Sequence, residues 1–441
     1  MTPVSSGRAP SERPTHARHT VIAFAISLAI LSYVSRVCIS QAAAQKPGPG
    51  HLSTMIGDLH LDARQLGLIF GAFGISYALF EIPTGWLGDW LGPRRVLMRI
   101  VIWWSVFTAA SGWMWNAASL WVVRFLFGAG EAGGFPNLTK VFTTWLPPRE
   151  RLRAQAAMWT AARWGGAFTP PLVVLILTYV NWRWTFVIFG AVGIVWAALF
   201  YLWFRDDPRT HPSVNAAEAA LIGDARRNAS GHGDVPWGKL VQSRSLWLLW
   251  AQYFCLTYPW SFYITWLPNY VKSWNLTDRT ASLLSVLPLL CGGIGCIFCG
   301  AVSRSLAQRM GGPRNSRRLI ASVGLFAAGC FLVVAIQAHS AIGAMLAMGM
   351  ASFANDLAIP ASWAACMDIG GKYAGTVSGS MNMMGNLATF VAPSMGGWLI
   401  HDFMNRAGYN SFIWVMAAMY ALGAACWIFI DPVTPLDPDA G

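Results

Sequence analysis

Charged residues are scarce in this 441-residue sequence: Asp, Glu, Lys and Arg together make up 11 % of it. A soluble globular protein carries about 25 % charged residues, so this composition excludes a large soluble enzyme and a disordered chain. The eight histidines lie in tails, loops or the ends of apolar stretches, and no His–carboxylate cluster suggests a catalytic or metal site. The eight cysteines fall in apolar stretches, which argues against a disulfide scaffold. We therefore expect no enzyme, no metal and no cofactor.

Apolar residues dominate what is present, at 55 % of the chain with a mean hydropathy of +0.45. A bilayer core requires about 20 apolar residues per helix, and the sequence contains twelve such stretches. They predict an all-α membrane protein. The predicted spans are 20–42, 65–88, 96–114, 118–144, 154–180, 184–204, 245–271, 280–303, 317–337, 340–366, 373–400 and 411–430.

Lys and Arg outnumber Asp and Glu by 31 to 19, giving a net charge of +12. In a soluble protein such an excess suggests a nucleic-acid partner, but here its distribution has another explanation. With the N-terminus inside, the inner segments hold 22 Lys and Arg and the outer segments hold six. Because cytoplasmic loops carry the excess of basic residues, we expect a multi-pass protein with both termini in the cytoplasm and no nucleic-acid partner.

The longest polar stretch between spans divides the chain into two halves. We expect a flexible cytoplasmic tail at 1–19, an N-terminal six-helix bundle at 20–204, a cytoplasmic linker at 205–244, a C-terminal six-helix bundle at 245–430 and a cytoplasmic tail at 431–441. The halves are faintly similar, with Gly92-Pro93-Arg94 after span 2 and Gly312-Pro313-Arg314 after span 8. Parallel repeats of this kind are typical of transporters whose substrate site lies between the halves. A cleaved signal peptide is the alternative for span 1, although Arg36 interrupts its apolar run.

Three arginines lie deep within predicted spans, away from their ends, at positions 36, 124 and 163. A charged residue at the bilayer centre costs about 2.5–3.5 kcal/mol, so each one requires compensation. The acidic residues available within spans are Glu81, Glu131 and Asp356. One interpretation is a set of structural ion pairs between helices. The other is an anion site, in which arginine binds a substrate carboxylate and Glu131 carries the proton.

Span 7 is rich in aromatic residues and is interrupted by Pro259 and Pro268. Discontinuous helices often lie near transporter sites, and aromatic rings such as that of Tyr258 can stack on or hydrogen-bond a polyol. Packing between helices is the alternative explanation for these rings. In span 11 the neutral polar residues include Asn382 and Asn386.

Several motifs together resemble a known family. The segment after span 2 resembles the signature loop of the major facilitator superfamily, with Gly85, Asp89, Gly92, Arg94 and Arg95. Segments around Arg36, Tyr77, Glu131, Tyr258 and Asn382 resemble one branch, the anion:cation symporters. That branch includes bacterial hexuronate, galactonate and glucarate carriers and animal sialic acid and vesicular glutamate transporters. The resemblance implies the major facilitator fold, with two six-helix bundles related by a pseudo-twofold axis.

The resemblance also implies residue roles. Arg36 would bind the substrate carboxylate, Glu131 would couple protonation to substrate, and Arg124 would tune Glu131. The cavity would be lined by Tyr77, Arg163, Tyr258, Asn382 and Asn386. The signature-loop residues Gly85, Asp89, Gly92, Arg94 and Arg95 would form a cytoplasmic gate.

Two positions depart from the pattern of the bacterial sugar-acid carriers in this branch. Ser35 stands where many of them have Asp, which removes one proton site and leaves the stoichiometry of proton coupling open. Arg163 stands where many of them have Gln. An added cation favours a dianionic substrate.

The sequence thus predicts a secondary active transporter of the bacterial inner membrane. We expect it to import an organic anion, a sugar acid such as a hexuronate, aldonate or aldarate, with protons, by alternating access and as a monomer. One alternative is a proton-driven exporter of drugs or other organic compounds on the same fold. Another is a membrane sensor that binds the anion and signals through 205–244.

Overall fold

A computed structural model of the chain describes residues 13–44, 54–222, 237–370, 374–400 and 405–434. Within these ranges the chain is helical with short connections, and no strand occurs in them. The all-α prediction is confirmed. The helices before residue 205 are α1 (Ala17–Ala43), α2 (Met55–Leu59), α3 (Ala63–Leu91), α4 (Pro93–Ala110), α5 (Ala117–Glu131), α6 (Gly134–Trp145), α7 (Pro148–Leu177) and α8 (Trp182–Trp203).

Two short helices belong to the linker, α9 (Ala216–Ile222) and α10 (Trp237–Gln242). We refer to α1–α8 as the N-terminal half and to the helices after the linker as the C-terminal half. These are α11 (Arg244–Thr265), α12 (Leu267–Lys272), α13 (Asp278–Leu284), α14 (Val286–Arg309), α15 (Pro313–Gln337), α16 (Ala341–Asp356), α17 (Ala358–Gly370), α18 (Ala374–Leu399) and α19 (Arg406–Phe429).

Each of the twelve predicted spans coincides with one helix or with two consecutive helices. Among the described residues, nine helical stretches are long and apolar enough to cross a membrane. Spans 4, 7 and 11 are not among these nine. Span 4 contains Arg124 and Glu131, and span 11 contains Asn382 and Asn386, polar side chains that lower the mean hydropathy of these segments. The three spans are helical nonetheless.

Four spans are broken, which the sequence predicted only for span 7. The breaks fall at Ala132–Gly133 in span 4, Trp266 in span 7, Ser285 in span 8 and Leu357 in span 10. Gly133 has a φ of +81°, a conformation that glycine adopts without a steric penalty. In span 7 the break comes just before Pro268, because proline removes a helical N–H donor, whereas Pro259 lies inside α11.

The residues at which helices begin differ between the two ends of the helix bundle. We call the end that the linker connects the linker end, and the opposite end the distal end. Helices that start at the distal end have polar N-caps, such as Asp62 before α3 and Asn116 before α5. At the linker end α4 and α15 each begin with proline, directly after Gly92 and Gly312 in positive-φ conformations. This shared start supports the repeat seen in the sequence.

The most extensive contacts between the halves are made by two helix pairs, α3 with α18 and α7 with α14. In the first pair three glycines of α3 lie against α18 backbone. A Cβ atom at Gly67 would lie 2.5 Å from the carbonyl oxygen of Pro393, and one at Gly74 would lie 2.5 Å from the amide nitrogen of Phe390. These glycines lie in the distal part of α3, so the two halves are in close contact there.

Candidate functional site

An ion pair between α1 and α5 lies inside the N-terminal half. Arg36 Nε lies 2.9 Å from Glu131 Oε1, and the hydroxyl of Ser32, one turn earlier on α1, donates to the same oxygen. Glu131 is the last residue of α5 and is buried. The C-terminal end of a helix disfavours a carboxylate, so the charge of Glu131 requires the guanidinium beside it.

Aromatic rings surround the Arg36 guanidinium. Its Cζ lies 4.9–5.6 Å from four ring centroids, close enough for cation–π attraction; the rings belong to Tyr33, Phe73, Tyr77 and Phe135. The structure therefore brings together three residues that the sequence predicted for the site, Arg36, Tyr77 and Glu131.

This ion pair leaves one nitrogen and one oxygen without a hydrogen bond. Among the described residues, Arg36 Nη2 and Glu131 Oε2 are buried without a hydrogen-bond partner. A buried donor and acceptor left unsatisfied cost free energy, and a ligand that supplied both an acceptor and a donor would recover it. A small cavity next to Glu131 is lined by Leu28, Ala29, Ser32, Trp104, Gly134, Phe135 and Leu138.

Arg124 lies on α5 two helical turns before Glu131. Its guanidinium stacks on Phe127, with Cζ 4.0 Å from the ring centroid. Within the described parts of the chain, its Nε and Nη1 have no hydrogen-bond partner. Its charge acts on Glu131 through space, so the arrangement is compatible with the tuning role that the resemblance implies.

A second ion pair joins the two halves. Arg163 of α7 contacts Asp356 of α16 through two atom pairs, Nε to Oδ2 at 3.0 Å and Nη2 to Oδ1 at 3.1 Å. Both side chains are buried, and the Asn355 amide donates to Asp356 Oδ1 over 2.8 Å. Asp356 ends α16 as Glu131 ends α5. The carboxylates of spans 4 and 10 thus occupy equivalent places in the two halves.

A carboxylate–amide cluster also crosses between the halves. Glu81 of α3 accepts hydrogen bonds from the side-chain amides of Asn382 and Asn386, both on α18; the second measures 3.2 Å from nitrogen to oxygen. Asn382 and Asn386 were predicted to line the cavity, and Tyr77 lies one turn before Glu81 on α3. The structure therefore adds Glu81 to the predicted site.

Span 7 contacts the charged residues through Trp260. The Trp260 ring lies 4.8 Å from Arg163 Cζ and 6.0 Å from the ring of Tyr33. Tyr258 was predicted to line the cavity, but its ring packs edge-on against Phe412 of α19. These contacts place Tyr258 toward α19 and Trp260 toward the ion pairs. An α-helix turns by about 100° per residue, so positions two apart face opposite ways.

The signature loop packs within the N-terminal half. The amide of Arg94 donates to Asp206 Oδ1 over 2.8 Å, and its guanidinium donates to the carbonyl of Tyr201 and stacks on that ring. Burial raises the pKa of Asp206, against the lowering effect of the Arg94 amide and of nearby basic side chains. Gly92 ends α3 with a φ of +82°, in contact with Asp206.

The other signature-loop residues are Gly85, Asp89 and Arg95. Arg95 is exposed at the start of α4. Gly85 and Asp89 belong to α3, but their side-chain surroundings lie outside the described part of the structure. The gate role of the loop therefore stays a prediction.

Several site residues were missed by sequence reasoning. The sequence shows Glu81 and Asp356 as acids within spans but assigns them no role, and it singles out neither Tyr33 nor Trp260. In the sequence each of them is only a charged or aromatic residue within an apolar span, and such a residue does not indicate which side chain it contacts. Among the described residues no group of three His, Cys, Asp or Glu is placed to hold a metal ion.

Comparisons with known proteins agree with this architecture. The sequence matches the Major Facilitator Superfamily over residues 27–393. It is 34 % identical over 430 residues to the probable sulfoacetate transporter of Cupriavidus necator, covering 96 % of each chain. It is 27 % identical to the probable L-galactonate transporter of Escherichia coli, covering 98 % of this chain and 95 % of the other. It is 26 % identical to the hexuronate transporter of Bacillus subtilis, covering 94 % of each.

A solved structure with a similar fold is a bacterial homologue of the human lysosomal transporter Spinster, in an inward-facing and occupied conformation. It superposes with a TM-score of 0.72 at 18 % sequence identity, covering 94 % of this chain and 96 % of the other. At this identity the likeness concerns the fold alone. The helical architecture, the family match and the named relatives lead to one conclusion: the chain belongs to the Major Facilitator Superfamily and is a multi-pass membrane transporter, not an enzyme.

Proposed function

We propose that this protein imports an organic anion together with protons across the bacterial inner membrane. The observation that carries the proposal is the buried Arg36–Glu131 pair, in which one guanidinium nitrogen and one carboxylate oxygen lack partners among the described residues. A guanidinium binds carboxylates well because its planar donors match the two oxygens. The relatives named as galactonate, hexuronate and sulfoacetate transporters support an anionic substrate.

Proton coupling follows from competition for Arg36. A substrate carboxylate that binds Arg36 takes the place of Glu131 as the partner of the guanidinium. The displaced Glu131 side chain would be a buried charge without a partner, which is costly in the membrane interior. Binding one proton removes that charge. Substrate and proton would therefore bind together, and Arg124 would set how readily the proton is held.

The transport cycle we propose is alternating access between two six-helix bundles, 20–204 and 245–430, joined by the linker 205–244. The Arg163–Asp356 pair and the Glu81 cluster lie between the bundles. Tyr77, Asn382, Asn386 and Arg163 would contact the substrate, and Tyr258 would support α11. The protein would act as a monomer, with both termini in the cytoplasm.

The substrate class we favour is a sugar acid, with short dianions as the second candidate. The sugar-acid proposal rests on the galactonate and hexuronate relatives. The dianion proposal rests on the 34 % identity to a probable sulfoacetate transporter and on the additional cation, Arg163. A second buried guanidinium offers a binding group for a second anionic end.

The decisive experiment is counterflow uptake in proteoliposomes containing the purified protein. The panel is labelled galactonate, glucuronate, glucarate and sulfoacetate, each with and without an inward proton gradient. We expect exchange of one of these anions, accumulation that rises with the gradient, and loss of both in Arg36→Ala. Arg279→Ala, which removes an exposed arginine, is the matched control and should behave as wild type.

Glu131→Gln tests the coupling step separately. We expect exchange to continue while the accumulation ratio falls by about tenfold per unit of pH gradient, because the amide cannot bind or release the proton. A wild-type accumulation ratio in this variant would show that Glu131 is not a coupling residue. Exchange in wild type without any gradient response would mean a uniporter or exchanger. No uptake of any of the four anions would favour the alternatives, a proton-driven exporter or a membrane sensor.

A further inference from the structure

The carboxylate of Glu81 is buried between the halves and is held by neutral groups. Glu81 is 2 % exposed, and its two oxygens accept from the side-chain amides of Asn382 and Asn386 respectively. A carboxylate that accepts hydrogen bonds can be stable in a buried site. Unlike Glu131 and Asp356, Glu81 has no cation within ion-pair distance among the described residues.

Arg36 of α1 is the cation that acts on Glu81 through space, but its guanidinium is bonded to Glu131 of α5. Arg124 of α5 stacks on its own helix. Tyr77 of α3 lies one turn away, between Glu81 and Arg36.

Helices α6 and α4, which also pack on α3, contribute no ion pair to Glu81 among the described contacts. Lys140 of α6 donates to the carbonyl of Gly88, two turns nearer the linker end. Arg94 of α4 is bonded to Tyr201 and Asp206. Most of the stabilisation of a Glu81 carboxylate therefore comes from the two amides on α18.

Those two amides belong to the other half, at a particular point along the contact. Gly67, Gly71 and Gly74 of α3 lie against α18 backbone, and Glu81 follows Gly74 by seven residues, about 10 Å further toward the linker end. Glu81 thus sits where the closed distal stretch ends. When α3 and α18 separate, Asn382 and Asn386 move away from it.

We propose that Glu81 is a second proton-binding site, whose protonation is tied to contact between α3 and α18. With the helices together, the ionised carboxylate accepts both amides. With the helices apart it loses both charge-assisted bonds, which stabilise the ionised form, and it takes up one proton. The reverse step returns the proton when the amides come back.

This inference rests on the proposed proton-coupled import and adds a second carrier group to it. Because the distal ends of α3 and α18 are in contact here, the separated state is the one open to the distal side. Glu81 would therefore load a proton from that side and release it after closure. The direction matches import of protons with the substrate, and it makes the coupling depend on a contact between halves.

The test is the number of protons transported per substrate, measured in proteoliposomes from the substrate accumulation supported by a fixed pH gradient of about one unit. Each coupled proton supports about tenfold accumulation at that gradient. We expect Glu81→Gln to keep counterflow and to lower the accumulation ratio by about tenfold. Glu150→Gln makes the same substitution at the linker end of α7 and should keep the wild-type ratio.

The outcomes separate this inference from the function on which it rests. A wild-type ratio in Glu81→Gln, with an intact gradient response, overturns the role of Glu81 and leaves proton-coupled import standing. A wild-type protein without any gradient response overturns both.

A second pair of measurements applies if Glu81→Gln does not transport. Glu81→Asp keeps a carboxylate but shortens its reach to Asn382 and Asn386, so we expect the wild-type proton ratio with a shifted pH profile of uptake. A pH-indicator dye also records proton uptake when purified protein binds the anion. An unshifted profile in Glu81→Asp, or equal proton uptake by Glu81→Gln and wild type, overturns the inference.

Discussion

Among the side chains that the structure describes, three carboxylates are buried in the predicted membrane interior, and each has a different kind of partner. Glu131 pairs with an arginine of its own half, Asp356 pairs with an arginine of the other half, and Glu81 binds amides of the other half. A movement of one half against the other leaves the first contact intact and breaks the other two. The chemistry of each acid therefore depends on which helix supplies its partner.

The Arg163–Asp356 pair gives a stability prediction. Removing one partner of a buried ion pair leaves the other charge uncompensated and costs about 3–5 kcal/mol. We expect Asp356→Asn and Arg163→Gln each to lower the melting temperature of the detergent-solubilised protein. The double variant should melt closer to wild type than either single variant, because no unpaired charge is left. Additive losses in the double variant would show that the two side chains are not coupled.

The sequence correctly predicted those site residues that can be identified from the free-energy cost of burying a charge. Arg36 and Glu131 were chosen because buried charges are expensive, and the structure brings them within 2.9 Å. The sequence assigned no partner to Asp356 or Glu81. Their partners lie 193 and 301 residues away in the chain, and only the packing of the two halves brings such distant positions together.

At the scale of helices, glycine determines how closely α3 and α18 approach. A Cβ at Gly71 would lie 2.8 Å from the carbonyl oxygen of Phe390, and one at Gly74 would lie 2.8 Å from that of Asn386. Real Cβ atoms do not approach backbone atoms this closely, so a larger residue at either position would push the helices apart. The glycines thus favour the closed distal end.

Gly74→Ala should slow transport. Overpacking costs about 1–3 kcal/mol, and a shift of that size in the closed state changes its population by roughly 5- to 150-fold. We expect counterflow to fall within that range while the protein remains folded. Gly379→Ala is the matched control, because no atom lies within 4 Å of a Cβ at that α18 position. Equal rates for the two variants would contradict the packing argument.

The first linker helix, α9, is hydrogen-bonded to the start of α1 through one carboxylate. Glu218 is buried and accepts from the Arg18 guanidinium, from the amides of Ala17 and Arg18, and from the Thr15 hydroxyl. Burial opposes ionisation of Glu218, but these hydrogen bonds outweigh it and lower the pKa of the carboxyl below its ordinary value of 4.5. Arg18 also pairs with Glu150 of α7.

This contact predicts a pH-dependent stability. Because the pKa of Glu218 is lowered by folding, its contribution is complete above the ordinary value and is lost as the pH falls through the folded value. Hydrogen bonds to a charged group contribute about 1.5–3 kcal/mol each. We expect Glu218→Gln to melt at a lower temperature than wild type at pH 7, with the difference shrinking below about pH 4. A difference that does not change with pH would argue against the assignment.

The helices were predicted from the sequence, but only one of the four breaks within them was. Twelve apolar stretches predicted twelve spans, and each is helical in the described residues. The breaks at Ser285 and Leu357 each precede a proline by three residues, Pro288 and Pro360. Because proline cannot donate a hydrogen bond to the carbonyl four residues earlier, the helix is interrupted there. The signal that predicts the break in span 7 is therefore also present in the sequence of spans 8 and 10.

At the scale of the whole molecule, the charge distribution predicts the orientation in the membrane. The linker end carries most of the Lys and Arg, so it should face the cytoplasm. The same orientation makes the closed α3–α18 contact face the outside. The direction of import that we propose for Glu81 depends on it.

Reporter fusions test this orientation. We expect green fluorescent protein fused after Gly441 to fluoresce and alkaline phosphatase at the same position to be inactive, because phosphatase folds only outside the cytoplasm. Phosphatase inserted after Trp115, in the distal turn between α4 and α5, should be active. The opposite pattern would show that the protein has the reverse orientation in the membrane, and the direction of proton flow that we propose would then be reversed.

The four interrupted spans bear on whether ions leak through the protein. A continuous helix moves at both ends together, whereas a span made of two segments lets one segment tilt while its continuation stays in place. Spans 4, 7, 8 and 10 are built in this second way. In the alternating-access cycle that we propose, one entrance shuts before the other opens, and an occluded form with both entrances sealed lies between the two open forms. Such a form keeps an ion-driven carrier from becoming a pore, since no water-filled path connects the two compartments at any moment and the gradient does not leak away.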